Sequence, residues 1–132
     1  MSSSPICTAG IFVRDGKVLL GLRNYEAKHY RDGDFWTTPG GRCDEGESVE
    51  TTLRREVEEE IGIKNFTIKE ELGVVPGAKE GDEVHVFVCE TEEEPTLMEP
   101  EKFTEWRWFE PLAIPDNFIN LHILKLIQGL KS

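Results

Sequence analysis

The chain has 132 residues, 38% hydrophobic and 31% charged. That balance predicts one soluble domain over residues 1–132 and excludes both a disordered tail and a membrane segment. Fifteen basic against 26 acidic residues leave a net charge of −11, which repels a phosphate backbone and argues against a nucleic-acid polymer as partner. A small phosphorylated ligand remains compatible, because bound divalent cations reverse the potential of an acidic cleft.

Cys7, Cys43 and Cys89 form no CxxC pair, so neither a disulfide scaffold nor a zinc site is expected. Residues 1–5 lack the basic start and apolar run of a secretion signal, and no apolar stretch reaches membrane-spanning length. The expected setting is the cytoplasm, with no membrane partner.

Residues 6–13 are apolar and end at the turn Arg14-Asp15-Gly16-Lys17, after which residues 18–22 resume an apolar run. This predicts a β-hairpin. Residues 24–34 are polar and read as a loop, with a short strand at 35–38. Pro39-Gly40-Gly41 stops regular structure. Ser48 then caps a helix whose apolar positions Val49, Leu53, Val57 and Ile61 recur every fourth residue, and Gly62 closes it.

Downstream, residues 66–68, 72–75 and 84–89 are predicted strands, punctuated by Pro76-Gly77 and Gly81-Asp82. Residues 90–101 are acidic, contain Pro95 and Pro100, and read as a surface connection before a strand at 105–109. Phe118, Leu121, Leu124 and Ile127 predict an amphipathic terminal helix over 117–130. Mixed strands with one central and one terminal helix imply an α/β sandwich whose sheet is covered on both faces.

On the central helix, with Glu56 at zero, Glu60 lies near about +40° and Glu59 near about −60°, while the apolar stripe spans roughly +20° to +140°. Three carboxylates therefore share one side, taken to flank the stripe at the edge of the core. Glu58 points away to solvent, with Arg54 as its i−4 neighbour. Like charges at this spacing, close to the negative end of the helix dipole, need neutralising. Mg²⁺ is the natural answer, since it prefers carboxylate oxygens and is shared with substrate phosphates. A merely solubilising acidic face is the competing reading of the helix alone.

The preceding loop weighs against it. From Gly41 the chain runs five residues to Glu47, seven to Arg55-Glu56-Val57, one to Glu59-Glu60 and one to Gly62-Ile63. This matches every fixed position of the Nudix box, and the lead-in from Trp36 to Pro39-Gly40-Gly41 agrees as well, so the chain resembles the Nudix hydrolases. The short single-domain chain and the stretch Glu99-Pro100-Glu101-Lys102 leading to Glu105-Trp106-Arg107-Trp108 resemble the family's MutT-like branch. The resemblance implies a Nudix-type α/β/α sandwich with a mixed β-sheet between helices. It also implies hydrolysis of a nucleoside diphosphate linked to another group, with Mg²⁺ or Mn²⁺ as cofactor.

By position in the box, Glu56, Glu59, Glu60 and the Gly40 carbonyl resemble the family's metal ligands. Glu47 and Arg55 resemble the pair that braces loop against helix, with a water-mediated metal contact a further role for Glu47. Gly41 and Gly62 are backbone devices, a tight turn and a helix cap. Glu56 is the first candidate for the base that deprotonates water, following MutT-like members, with Glu59 and the acidic stretch 99–105 left open. Glu101 stands where related enzymes place another acidic ligand or base.

Arg23 resembles a phosphate-contacting arginine. Phe35, Trp36, Trp106 and Trp108 are the aromatic candidates for a base platform, and Asn117 or Asn120 for an amide reading the base edge, although Asn117 can equally cap the last helix. The expected substrate is a nucleoside triphosphate or modified triphosphate, giving monophosphate and pyrophosphate. ADP-ribose, dinucleoside polyphosphates and nucleotide sugars are the alternatives. A non-catalytic binding module is disfavoured because all three box glutamates are present. Monomer and homodimer remain open.

Overall fold

The computed structural model describes residues 4–25 and 33–130. Six strands and two helices follow in the order β1 (Ile6–Arg14), β2 (Lys17–Tyr25), β3 (Gly33–Thr37), α1 (Val49–Ile61), β4 (Thr67–Pro76), β5 (Glu83–Glu90), β6 (Phe103–Phe109) and α2 (Leu121–Gln128). The sheet is mixed: β1 and β5 are parallel, while β4 with β5 and β2 with both β3 and β6 are antiparallel.

The hairpin of β1 and β2 pairs only through Val13 with Val18 and Arg14 with Lys17. Beyond that point the two strands part, so β4–β5–β1 and β3–β2–β6 diverge. The chain fills the opening with residues 39–43, which take up the hydrogen bonds of the β1 edge. Gly10 N–H donates to Pro39, Thr8 N–H to Gly41, and Cys43 N–H to Ile6. A glycine-rich stretch is thereby held almost as firmly as a strand.

Strand alternation sends side chains to two cores. One face of the sheet carries Ala9, Ile11, Leu20, Trp36, Val86 and Phe109 against Ile123 and Ile127 of α2. The other carries Phe12, Leu19, Phe87 and Cys89 against Leu53, Val57 and Ile61 of α1. Leu53, Val57 and Ile61 are wholly buried, each worth about 1.5–3 kcal/mol of apolar burial. The expected α/β/α sandwich is therefore the fold adopted.

Helix α1 begins and ends as its sequence requires. Ser48 accepts from Thr51 N–H, and Gly62 at φ 72° donates its N–H to the Glu58 carbonyl. Arg54 pairs with Glu50 at 3.0 Å and donates to the Phe66 carbonyl, rather than reaching Glu58. A nearby backbone acceptor and an acid one turn earlier outcompete the later one.

Several boundaries differ from the sequence expectation. Residues 66–68 and 72–75 join as one strand, β4, because β5 offers a continuous edge and the intervening Lys69-Glu70-Glu71 faces outward, with register irregularities absorbing the poor pattern. Strand β2 runs on to Tyr25 and β3 starts at Gly33; the remainder of the expected loop at 24–34 lies outside the described residues. The terminal helix starts at Leu121, not near 117, because residues 117–119 run beside β3, with Trp36 N–H bonded to Asn117 and Ile119 N–H to Trp36.

Residues 90–101 are more than a connection. They form a strap over the end of α1: Thr96 N–H donates to the Ile61 carbonyl and Met98 N–H to that of Glu60. Glu93 accepts from the N–H groups of Lys64 and Asn65. The last carbonyls of a helix lack partners within it, and here the strap supplies them.

Candidate active site

Where the two halves of the sheet part, a cleft of about 380 Å³ opens, lined by Gly40, Gly41, Glu56, Glu60, Arg23 and Lys102 among others. Its acidic wall comes from α1. Glu60 retains only 4% of its accessible surface, because its angle lies inside the apolar stripe rather than on its flank. Among the described residues its hydrogen-bond partner is the Gly40 N–H, which donates to Oε1 at 3.0 Å.

Burial raises the Glu60 pKa well above the ordinary carboxylate value; the Gly40 N–H opposes the shift, Glu56 adds to it, Arg23 opposes it, and Glu99 adds to it. Glu56 is likewise raised, mainly by burial, against the pull of Arg55 and with the charges of Glu59 and Glu99 adding to it. Glu59 stands at the outer rim, half exposed.

The two glycines explain how carboxylates and loop come so close. A Cβ on Gly41 would lie 2.5 Å from the Glu56 carboxyl carbon, and one on Gly40, at φ 139°, would collide with the Thr8 carbonyl oxygen. Thr8 itself is buried and fastens Gly41 from both sides, its Oγ1 accepting from Gly41 N–H and donating to the Gly41 carbonyl.

Glu47 and Arg55 form the brace that the motif implies. Arg55 donates through Nε and Nη2 to the two oxygens of Glu47 at 2.8 and 2.9 Å. Thr52 Oγ1 and the Asp44 N–H complete the carboxylate's partners. The Arg55 hydrogen bond, followed by those from Asp44 and Thr52, pulls Glu47 down to about 2. Arg55 Nη1 turns the other way, to Glu56 at 2.8 Å and Glu59 at 3.3 Å. One guanidinium thus ties the loop to two of the three box carboxylates.

The remaining candidates divide. Arg23 lies on the cleft wall, near enough for its charge to lower Glu60, and packs over Tyr25 and Phe103. Glu101 is exposed on its turn; the acid felt by Glu56 and Glu60 is Glu99, two residues earlier, brought in by the strap. Of the acidic stretch, it is thus Glu99 and not the expected Glu101 whose charge reaches the box carboxylates. Trp36 is no stacking surface: it is buried in the α2-side core, edge-on to Phe109 at 4.7 Å.

Asn117 is exposed and donates to the Asp34 carbonyl. Asn120 does line the cleft, but its Oδ1 caps α2 by accepting from His122 and Ile123 N–H, and its Nδ2 donates to Pro76. Its amide is committed to structure. Among the described residues no three acidic side chains already converge as a cation cage, since Arg55 and Gly40 hold the box carboxylates. The set nonetheless fits a hard divalent cation: every donor is oxygen, Glu60 and Glu56 are withdrawn from water, and like charges burden both.

The family pattern for the NUDIX domain matches residues 5–127. An RNA pyrophosphohydrolase of Gluconobacter oxydans is 30% identical over 123 residues, covering 79% of this chain and 69% of that protein. An oxidized purine nucleoside triphosphate hydrolase of Danio rerio is 31% identical over 121 residues, covering 87% and 72%. Among solved structures, a MutT NUDIX hydrolase from Burkholderia pseudomallei aligns with a TM-score of 0.76 at 26% identity, over 96% of this chain and 97% of that one. The family match and these relatives make the chain an enzyme, a Nudix pyrophosphohydrolase. The chain belongs to the NUDIX domain family, and its likeness within that family is to MutT.

Proposed function

We propose that this chain hydrolyses a nucleoside triphosphate, unmodified or with a modified base, to the monophosphate and pyrophosphate. The observation that carries the reading is the burial of Glu60 beside Glu56 beneath Gly40-Gly41: a carboxylate so enclosed, with a like charge for neighbour, is costly unless a cation joins it. Glu56, Glu59, Glu60 and the Gly40 carbonyl, with Glu99 in place of the expected Glu101, would hold Mg²⁺ or Mn²⁺. The chemistry supplied by such an ion when bound is positive charge on the departing phosphate oxygens and a more acidic attacking water.

The chain's own residues do the rest. Arg23, on the facing wall, neutralises and orients a phosphate oxygen, a contact suited to guanidinium geometry. Glu56, set against the glycine loop and oriented by Arg55, takes the proton of the attacking water. Arg55 keeps the Glu56 carboxylate oriented and Glu47 keeps Arg55 in place. No helix among the described residues is long and apolar enough to cross a membrane, and the cytoplasm is the proposed setting.

The RNA pyrophosphohydrolase relative favours a second substrate of the same chemistry, the 5′-triphosphate end of an RNA. A panel of ordinary and oxidised nucleoside triphosphates, ADP-ribose, a dinucleoside polyphosphate, a nucleotide sugar and a short 5′-triphosphorylated RNA, each with Mg²⁺ and with product identification, decides among these. Monophosphate and pyrophosphate from a free triphosphate are expected. Turnover confined to another panel member would overturn the substrate assignment, and turnover unchanged in Glu60→Gln would remove the proposed cation site.

A further inference from the structure

On the rim of the cleft opposite the carboxylates, Arg42 and Asp82 meet across 40 positions of sequence. Arg42 Nη1 donates to Asp82 Oδ1 at 2.9 Å and Nη2 to Oδ2 at 2.8 Å, a bidentate pair. The aspartate keeps only 10% of its side-chain surface exposed. Arg42 directly follows Gly40-Gly41, whereas Asp82 ends the turn between β4 and β5. That turn is itself closed by Gly77 N–H donating to the Asp82 carbonyl at 2.9 Å.

Arg42 is also held at two further points. Its Nη1 donates to the Ser4 carbonyl at 2.7 Å, and its own carbonyl accepts from Arg55 Nη2 at 3.4 Å. A continuous path thus runs from the β4–β5 turn through Asp82, the Arg42 side chain and the Arg42 backbone to Arg55, which grips Glu47, Glu56 and Glu59. Both oxygens of Asp82 face the guanidinium, so the pair presents a neutralised surface to the cleft instead of an acceptor for a ligand.

We propose that Asp82 and Arg42 are positioning residues for the glycine loop, fixing Gly40-Gly41, and through them Glu56 and Glu60, from the far side of the cleft. The β1 edge sets the loop's height through backbone hydrogen bonds, and the ion pair sets its lateral place. Without the pair, the loop keeps its hydrogen bonds to β1 but loses the stop that holds it against Glu56. Small misplacements of reacting groups cost rate far more than they cost binding.

The test uses the full chain with Asp82→Ala, the gentler Asp82→Asn, and the reversed pair R42E/D82R, read by steady-state kinetics and by amide hydrogen exchange over residues 40–43. Expected are a fall in kcat of about tenfold or more in Asp82→Ala, KM within about threefold, faster exchange at 40–43, and partial recovery of kcat in the reversed pair. An unchanged kcat below the melting temperature, whatever the loss of stability, would make the pair merely structural and overturn the proposal. A raised KM at constant kcat would do the same, by making it a substrate contact. The kinetic arm rests on the hydrolase reading, and wild-type enzyme inert toward the whole panel would sink that reading. The exchange arm would still decide the positioning role, since unaltered exchange at 40–43 in both Asp82 variants refutes it.

Discussion

Replacing Gly41 by alanine separates position from fold in a single methyl group. The added Cβ would stand 2.5 Å from the Glu56 carboxyl carbon, 2.6 Å from Oε1 and 2.8 Å from Cγ. Carbon atoms in ordinary contact sit about 3.5–4.0 Å apart, so the carboxylate has to retreat by about 1 Å. It is the far end of a flexible side chain, held by Arg55 Nη1 on one oxygen, and can move with that partly exposed partner, and Gly41 is not among the described glycines with positive φ. The fold should therefore survive.

A displacement of that size at a reacting group costs on the order of 10²-fold in rate, and kcat of the Gly41→Ala variant should fall by about that factor. The assay is pyrophosphate release at saturating Mg²⁺ and substrate, with thermal melting alongside. Gly40→Ala is the contrast, because its Cβ strikes the Thr8 backbone and its φ of 139° disfavours any side chain. That variant should lose stability outright, by at least the ~1–3 kcal/mol of a strained backbone. Gly41→Ala with wild-type kcat and an unchanged melting point would refute the claim that Glu56 acts from the place it occupies beside the loop.

Glu60→Gln removes a buried charge while keeping its shape, so the chelated protein should melt no lower than wild type and should lose the upward shift that Mg²⁺ gives the parent; a retained shift in differential scanning calorimetry would count against the site. Asp82, lowered below the ordinary value of 3.8 first by its hydrogen bond from Arg42, lends stability that is fully present above that value. The contribution is lost as pH falls through the lower folded pKa. Urea midpoints of wild type and Asp82→Asn should accordingly keep a constant gap above the ordinary value of 3.8 and converge as pH falls below it, and a gap unchanged below that value would contradict this. Ser48→Ala strips the cap from α1 and should cost about 1 kcal/mol in denaturant unfolding, with kcat intact.

Local chemistry was legible and long-range placement was not. Ser48, Gly62 and the four-residue spacing of Val49, Leu53, Val57 and Ile61 announce α1 because caps and periodicity act within one element. The Glu47–Arg55 brace was legible for a related reason, both partners lying within one motif. Glu99 was harder, since its reach depends on Thr96 and Met98 finding the carbonyls of Ile61 and Glu60, partners more than thirty positions upstream. Trp36 carried no mark to say which face of β3 it takes, and burial against Phe109 settled that. Asn120 looked like a reader of bases until its amide proved committed to α2 and Pro76. The Arg42–Asp82 pair joins two residues that look like ordinary surface charges in the sequence.

The parting of β1 from β2 just past their hairpin has a broader consequence. Because residues 39–43 borrow the unused margin of a strand, the reactive centre inherits the stiffness of the sheet while remaining, in connectivity, a loop. Exchanges on the cleft wall formed by Tyr25, Ile119 and Ile123 can then reshape what enters the cleft without loosening what happens at its floor. One scaffold can diversify its choice of leaving group while its hydrolytic machinery stays fixed.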